Sequence, residues 1–150
     1  MTDKAAPELH ITRIFEAPRE LVFACMTEPQ HLTHFWGPAG THAPLEHIRV
    51  EAHAGGVFET TMVSDEGNHR YDTRAVYLEV SPPERLVWRE SHSGMTVTVT
   101  FVELGDDRTK VMIHQANVPP AALTPQARAG FLTSLDRFAD YLEGLSRSGR

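Results

Sequence analysis

The sequence has a single cysteine, no long apolar run and no cluster of basic residues, and each shortage excludes a class of protein. Cys25 has no second cysteine with which to form an internal disulfide, so the chain fits a reducing compartment, and we expect a cytoplasmic protein. Its setting, Leu21-Val22-Phe23-Ala24-Cys25-Met26, reads as a buried structural thiol, because reactive thiols need electropositive, partly exposed surroundings. No apolar stretch approaches the roughly 20 residues of a membrane-spanning helix. The N-terminus MTDKAAPELH lacks the apolar core of a secretory signal. Lys and Arg number 14 against 20 Asp and Glu, for a net charge of −6. That balance, with no Lys/Arg run, argues against nucleic acid and against a polybasic membrane patch.

Catalytic and cofactor signatures are missing too. The sequence holds no HExxH, no GxSxG and no strand-to-helix glycine loop, and Gly55-Gly56 precedes a strand pattern instead. No cofactor is indicated. Nine histidines are present, four of them between Gln30 and His47 (QHLTHFWGPAGTHAPLEH). His31 and His34 share a helix face. Zinc needs three or four ligands in a tetrahedral array, and His42 and His47 lie beyond a loop and a proline. With no adjacent Asp to orient a ring, we expect no metal site and read these histidines as surface and rim.

What is there has a clear order. Residues 9–15 alternate as a strand with apolar side chains on both faces, and Ala17-Pro18 ends it, Pro18 opening a helix through RELVFACMT. Thr27-Glu28-Pro29-Gln30 reads as a capping box for a second short helix, stopped by Gly37-Pro38 after Phe35-Trp36. From Leu45 to Val118 the pattern is of six strands joined by short turns, hence largely antiparallel. The clearest is MTVTVTFVEL, with Met95, Val97, Val99 and Phe101 on one face and threonines on the other. Thr124-Pro125 then starts an amphipathic helix of about 20 residues bearing Phe131, Leu135, Phe138 and Leu142. We expect one α+β domain over residues 1–150, with its core at about 9–145.

Six fragments in this order, RIFEAPRELVF, TEPQHLTHFWGP, Gly55-Gly56, PPERLVW, TVTVTF and SLDRFADYL, resemble the START/Bet v1-like (SRPBCC) superfamily. Within it the chain is similar to proteins related to the C-terminal domain of the heat-shock-protein-90 ATPase activator. The resemblance implies a helix-grip fold, in which a curved antiparallel sheet wraps a long C-terminal helix around an apolar cavity. Phe131 stands where the family usually has Trp, which keeps a ring but removes an indole donor. The partner implied is a small apolar molecule. We expect Trp36, Phe58, Trp88, Val97, Val99, Ile113, Phe131, Leu135 and Phe138 to line the cavity, with Gln115 and Ser134 as orienting polar groups.

Two other functions are compatible with the sequence. Alternation along LVWRESH places Leu86, Trp88, Glu90 and His92 on one face, so Glu90 and His92 could form an acid/base pair for a cyclase-like or hydrolytic reaction. In the simpler reading the strand end is solvated and Glu90 pairs with an Arg across the sheet. The other rival, a co-chaperone stimulating a heat-shock ATPase, is weaker, since we expect no additional N-terminal domain. Tyr71, Thr73 and Tyr77 share a face, with hydroxyls that suit either a ligand or solvent. A homodimer through a sheet face or edge is compatible with the sequence, which specifies no interface.

Overall fold

The computed structural model describes residues 7–148. Strand β1 (Glu8–Phe15) is followed by helix α1 (Arg19–Thr27), whose extent matches RELVFACMT. Pro18 caps this helix rather than opening it: its backbone is extended, and its carbonyl accepts from the amides of Leu21 and Val22. Helix α2 (Pro29–Leu32) is shorter than expected, and the capping box does not form. Thr27 ends α1 instead, its hydroxyl donating back to the carbonyls of Phe23 and Ala24, and Gln30 donates to the Glu28 side chain. A buried Thr does better bonded within its own helix than exposed as a cap.

Strands β2 (Thr41–His42) and β3 (Arg49–Val50) each have two residues. A single 3₁₀ turn at Leu45–His47 replaces the expected start of the first sheet strand. Then come β4 (Val57–Ser64), β5 (Arg70–Ser81), β6 (Arg85–Glu90), β7 (Thr96–Gly105) and β8 (Arg108–Ala116). Helix α3 (Pro125–Ser148) has 24 residues, and Thr124 Oγ1 accepts from the Ala127 amide at 3.1 Å as its cap.

The strands form one antiparallel sheet in the order β1-β8-β7-β6-β5-β4-β2, with β3 also on β4. Successive strands from β4 to β8 are hairpin neighbours, and β1 closes onto β8 from the far end of the chain. The β7–β8 turn places Asp106 and Asp107 both at positive φ, as the twist of a tight hairpin requires. Gly56 meets a different demand: a Cβ there would lie 2.0 Å from the Glu51 carbonyl oxygen.

The inner sheet face packs on α3, but unevenly. Toward the C-terminal half of the helix, Phe138 lies 4.8 Å from Phe15 and 4.3 Å from Phe35, ring centre to ring centre. Phe138 and Leu142 are buried there, as the apolar stripe demands. Along the N-terminal half the helix presents Gln126, Ala127, Gly130 and Ser134, small or polar groups that leave space over the sheet. This is the helix-grip architecture. Among the described residues no helix is long and apolar enough to cross a membrane.

Candidate ligand cavity

The space under the first half of α3 is a cavity of about 430 Å³. Its floor is the inner sheet face. Phe58 and Met62 come from β4, Thr73 and Ala75 from β5, Trp88 and Glu90 from β6, Val97 and Val99 from β7, and Ile113 and Gln115 from β8. The roof is α3, through Gln126, Ala127, Gly130, Phe131, Ser134 and Leu135, and the mouth is framed by Trp36, Gly37 and Pro38. Alternation puts the floor residues on one face, since Val97 pairs with both Trp88 and Gln115, and Val99 with Ile113.

Aromatic contacts stiffen the wall. The Phe58 ring lies 5.3 Å from Trp36 and 5.1 Å from Trp88, both edge-on, and stacks 5.6 Å from Tyr77. Tyr77 is buried behind them without touching the cavity, and burial pushes its phenol well above the usual range. Tyr71 is half exposed, and Thr73 spends its hydroxyl on Thr60, 2.7 Å away.

Three polar side chains stand out on the floor and roof. Glu90 Oε1 accepts from Ser93 Oγ at 3.0 Å, and no cation pairs with it among the described residues. The Gln115 amide has no protein partner among them. Ser134 donates weakly to the Gly130 carbonyl at 3.4 Å. The cross-sheet Glu90–Arg pair expected in the simpler reading is not formed: Glu90 lies opposite Ala75 on the inner face, while Arg74 points to the other face and pairs with Glu59 at 2.8 Å.

Two nominated residues lie elsewhere. Phe138 is packed in the closed half, where ring stacking leaves no free surface. His92 is exposed in the turn after β6, since the strand ends at Glu90 and the alternation that linked the two stops with it. Glu90 and His92 are therefore not brought together. Met26, Met62, Ala75, Met95, Pro38 and Gly130 line the cavity in addition to the residues expected from sequence. Met62 shares parity with Phe58, and Gly130 lies one turn before Ser134, so both were within reach of periodicity.

Helix α3 is tied over the mouth by polar links. Arg137 Nη1 donates to the carbonyls of Gly37 (2.8 Å) and Pro38 (3.1 Å), and the Ala39 amide donates to Thr133 Oγ1 (3.0 Å). Gly37 sits at φ +102°, and a Cβ there would meet Thr41 and Met62 below 3.0 Å. Behind α3 lies a second hollow of about 520 Å³ toward β1, sharing Gln115, Ala127 and Phe131 with the first.

Three of the four histidines of residues 30–47 have side-chain partners, and His47 is exposed. His31 Nδ1 lies 2.6 Å from the Tyr141 hydroxyl, and the His34 ring stacks on the Tyr141 ring. His42 does have an Asp beside it, contrary to expectation, because the β2–β4 pairing brings Asp65 to 2.9 Å. Among the described residues, three metal-ligating groups converge instead on the outer face, at Glu8, His10 and His114.

The family of Activator of Hsp90 ATPase homolog 1-like proteins matches residues 16–143. The chain belongs to this family. Solved structures of similar fold include a Chromobacterium violaceum protein (22% identity over 89% of this chain and 96% of that one, TM-score 0.81). A Rhodobacter sphaeroides protein is 20% identical over 92% and 93% of the two chains, with a TM-score of 0.80. An Aeromonas hydrophila AHSA1-like protein is 24% identical over 92% and 94%, with a TM-score of 0.77. At these identities the likeness of this AHSA1-like chain to them is one of fold. No curated protein matches it.

Proposed function

We propose that this AHSA1-like protein binds a small, mostly apolar molecule beneath α3, with any polar end of the ligand toward Glu90 and Gln115. One observation carries the reading: an apolar-walled space of about 430 Å³ lies under the first half of a helix whose other half is packed ring on ring. That volume falls within the range of small-molecule pockets, and so does the pattern of many apolar walls with few polar groups. The lone unpaired Cys25 supports a reducing, cytoplasmic setting for this role.

The direct test is native mass spectrometry of protein purified gently from its own host, with extraction of anything bound. Its complement uses the neutral fluorophore N-phenyl-1-naphthylamine, whose emission rises on entering an apolar site. Ala75 lines the floor, so Ala75→Trp fills the space and abolishes the fluorescence gain while leaving the fold intact by circular dichroism. Glu90→Gln leaves binding of this neutral probe unchanged and weakens a long-chain amine about 10-fold, or roughly 1.4 kcal/mol. An empty protein whose probe binding survives Ala75→Trp defeats the proposal.

A further inference from the structure

On the opposite face of the sheet from the cavity, β1 and β8 carry a directly opposed histidine pair, His10 and His114, whose rings stack 4.4 Å apart. Glu8, two residues before His10, shares its face. One oxygen of its carboxylate, Oε1, lies 2.8 Å from His114 Nε2 and 3.8 Å from His10 Nε2. The three ligand atoms all fall within 4.8 Å of one another. Ligands bonded at about 2.0–2.1 Å around a tetrahedral ion stand about 3.3 Å apart, and the two observed separations bracket that value.

We propose that Glu8, His10 and His114 form a binding site for a first-row divalent transition ion of the zinc class, with water completing the fourth position. Two imidazoles with one carboxylate suit zinc, nickel or copper and not magnesium or calcium, which take oxygen ligands. The ladder fixes the frame: Glu8 pairs with Ala116 and His10 with His114, so rotation of exposed side chains alone closes the site. The chain's net charge of −6 favours a cation. His31 is committed to Tyr141, and His42 with Asp65 supplies only two ligands. A bound ion would clip the edge strand β1 to β8, linking residues 106 positions apart.

The test uses the full chain without an affinity tag, stripped with chelator and titrated with Zn²⁺ by calorimetry. Backbone amide shifts are followed by NMR, and Mg²⁺ serves as control. We expect one Zn²⁺ per chain, shifts centred on residues 8–11 and 113–116, a higher melting temperature with zinc and no response to Mg²⁺. His10→Ala and His114→Ala each weaken binding at least 10-fold, and Glu8→Gln about 10-fold. All three side chains face solvent, so the variants should keep the fold, checked by circular dichroism. His42→Ala leaves binding unchanged. No stoichiometric binding, binding that survives the His10/His114 double variant, or shifts centred on His42 and Asp65 would each overturn the proposal.

Discussion

Cys25 is fully buried in α1, and burial pushes its thiol up to about 12 from an ordinary 9, with the Glu28 charge adding to the effect. Tyr77 is shifted in the same direction by burial alone. Both groups are neutral when protonated, so the native state holds protons that the unfolded chain releases. The stability tied to Cys25 is whole below pH 9 and is lost as pH rises from there toward 12. The slope due to one such group is at most about 1.4 kcal/mol per pH unit. Urea midpoints measured between pH 8 and pH 10 should therefore fall in the native protein. Cys25→Ala starts lower, having lost packing, but its curve flattens above pH 9. An unchanged slope in that variant would assign the alkaline loss to other groups. The buried thiol was legible in LVFACM because its apolar neighbours are local. His92 leaves the strand face because β6 ends at Glu90, whose carbonyl accepts from the Gly94 amide in a turn that extended alternation does not foresee.

Element by element, the long periodic segments could be read from sequence and the short ones could not. Strand β7 alternates valine and threonine, and α3 repeats its apolar residues over several turns, so each carries its own evidence. Strand β2 has two residues and exists because Thr41 and His42 pair with Ser64 and Val63, which nothing local announces. The same holds for the way α3 is fastened. Arg137 reaches the carbonyls of Gly37 and Pro38, some 100 positions away, at the rim of the cavity. Arg137→Ala should therefore loosen the lid more than the fold. In stopped-flow release of N-phenyl-1-naphthylamine, we expect dissociation to be several-fold faster. The melting temperature should fall by only about 3–6 °C, since at this partly exposed site the charged donor contributes about 1.5 kcal/mol. Equal release rates would mean that α3 is held by its apolar stripe alone.

At the scale of the molecule, element order sufficed to read the architecture, but the uneven packing under α3 depends on side chains from seven elements at once. Val97, Val99 and Ile113 could be assigned to the inner face from alternation, whereas whether that face meets a ring or a void turns on Gly130 and Ala127 opposite. The Glu8–His10–His114 convergence was equally hidden, since it needs the β1–β8 register. That same pairing governs folding. Strands β4 to β8 close through successive hairpins, but β1 must find β8 across nearly the whole chain, and distant closure is entropically late. Val99→Ala, in the middle of the hairpin series, should slow refolding. Ile11→Ala, on β1 facing inward, should leave refolding nearly unchanged and speed unfolding. Each substitution removes about 2 kcal/mol, enough for the two limbs of a chevron plot to be separated. If Ile11→Ala slows refolding as much as Val99→Ala does, β1 belongs to the folding nucleus. An ion held between His10 and His114 would then speed folding; if β1 docks late, the ion should only slow unfolding.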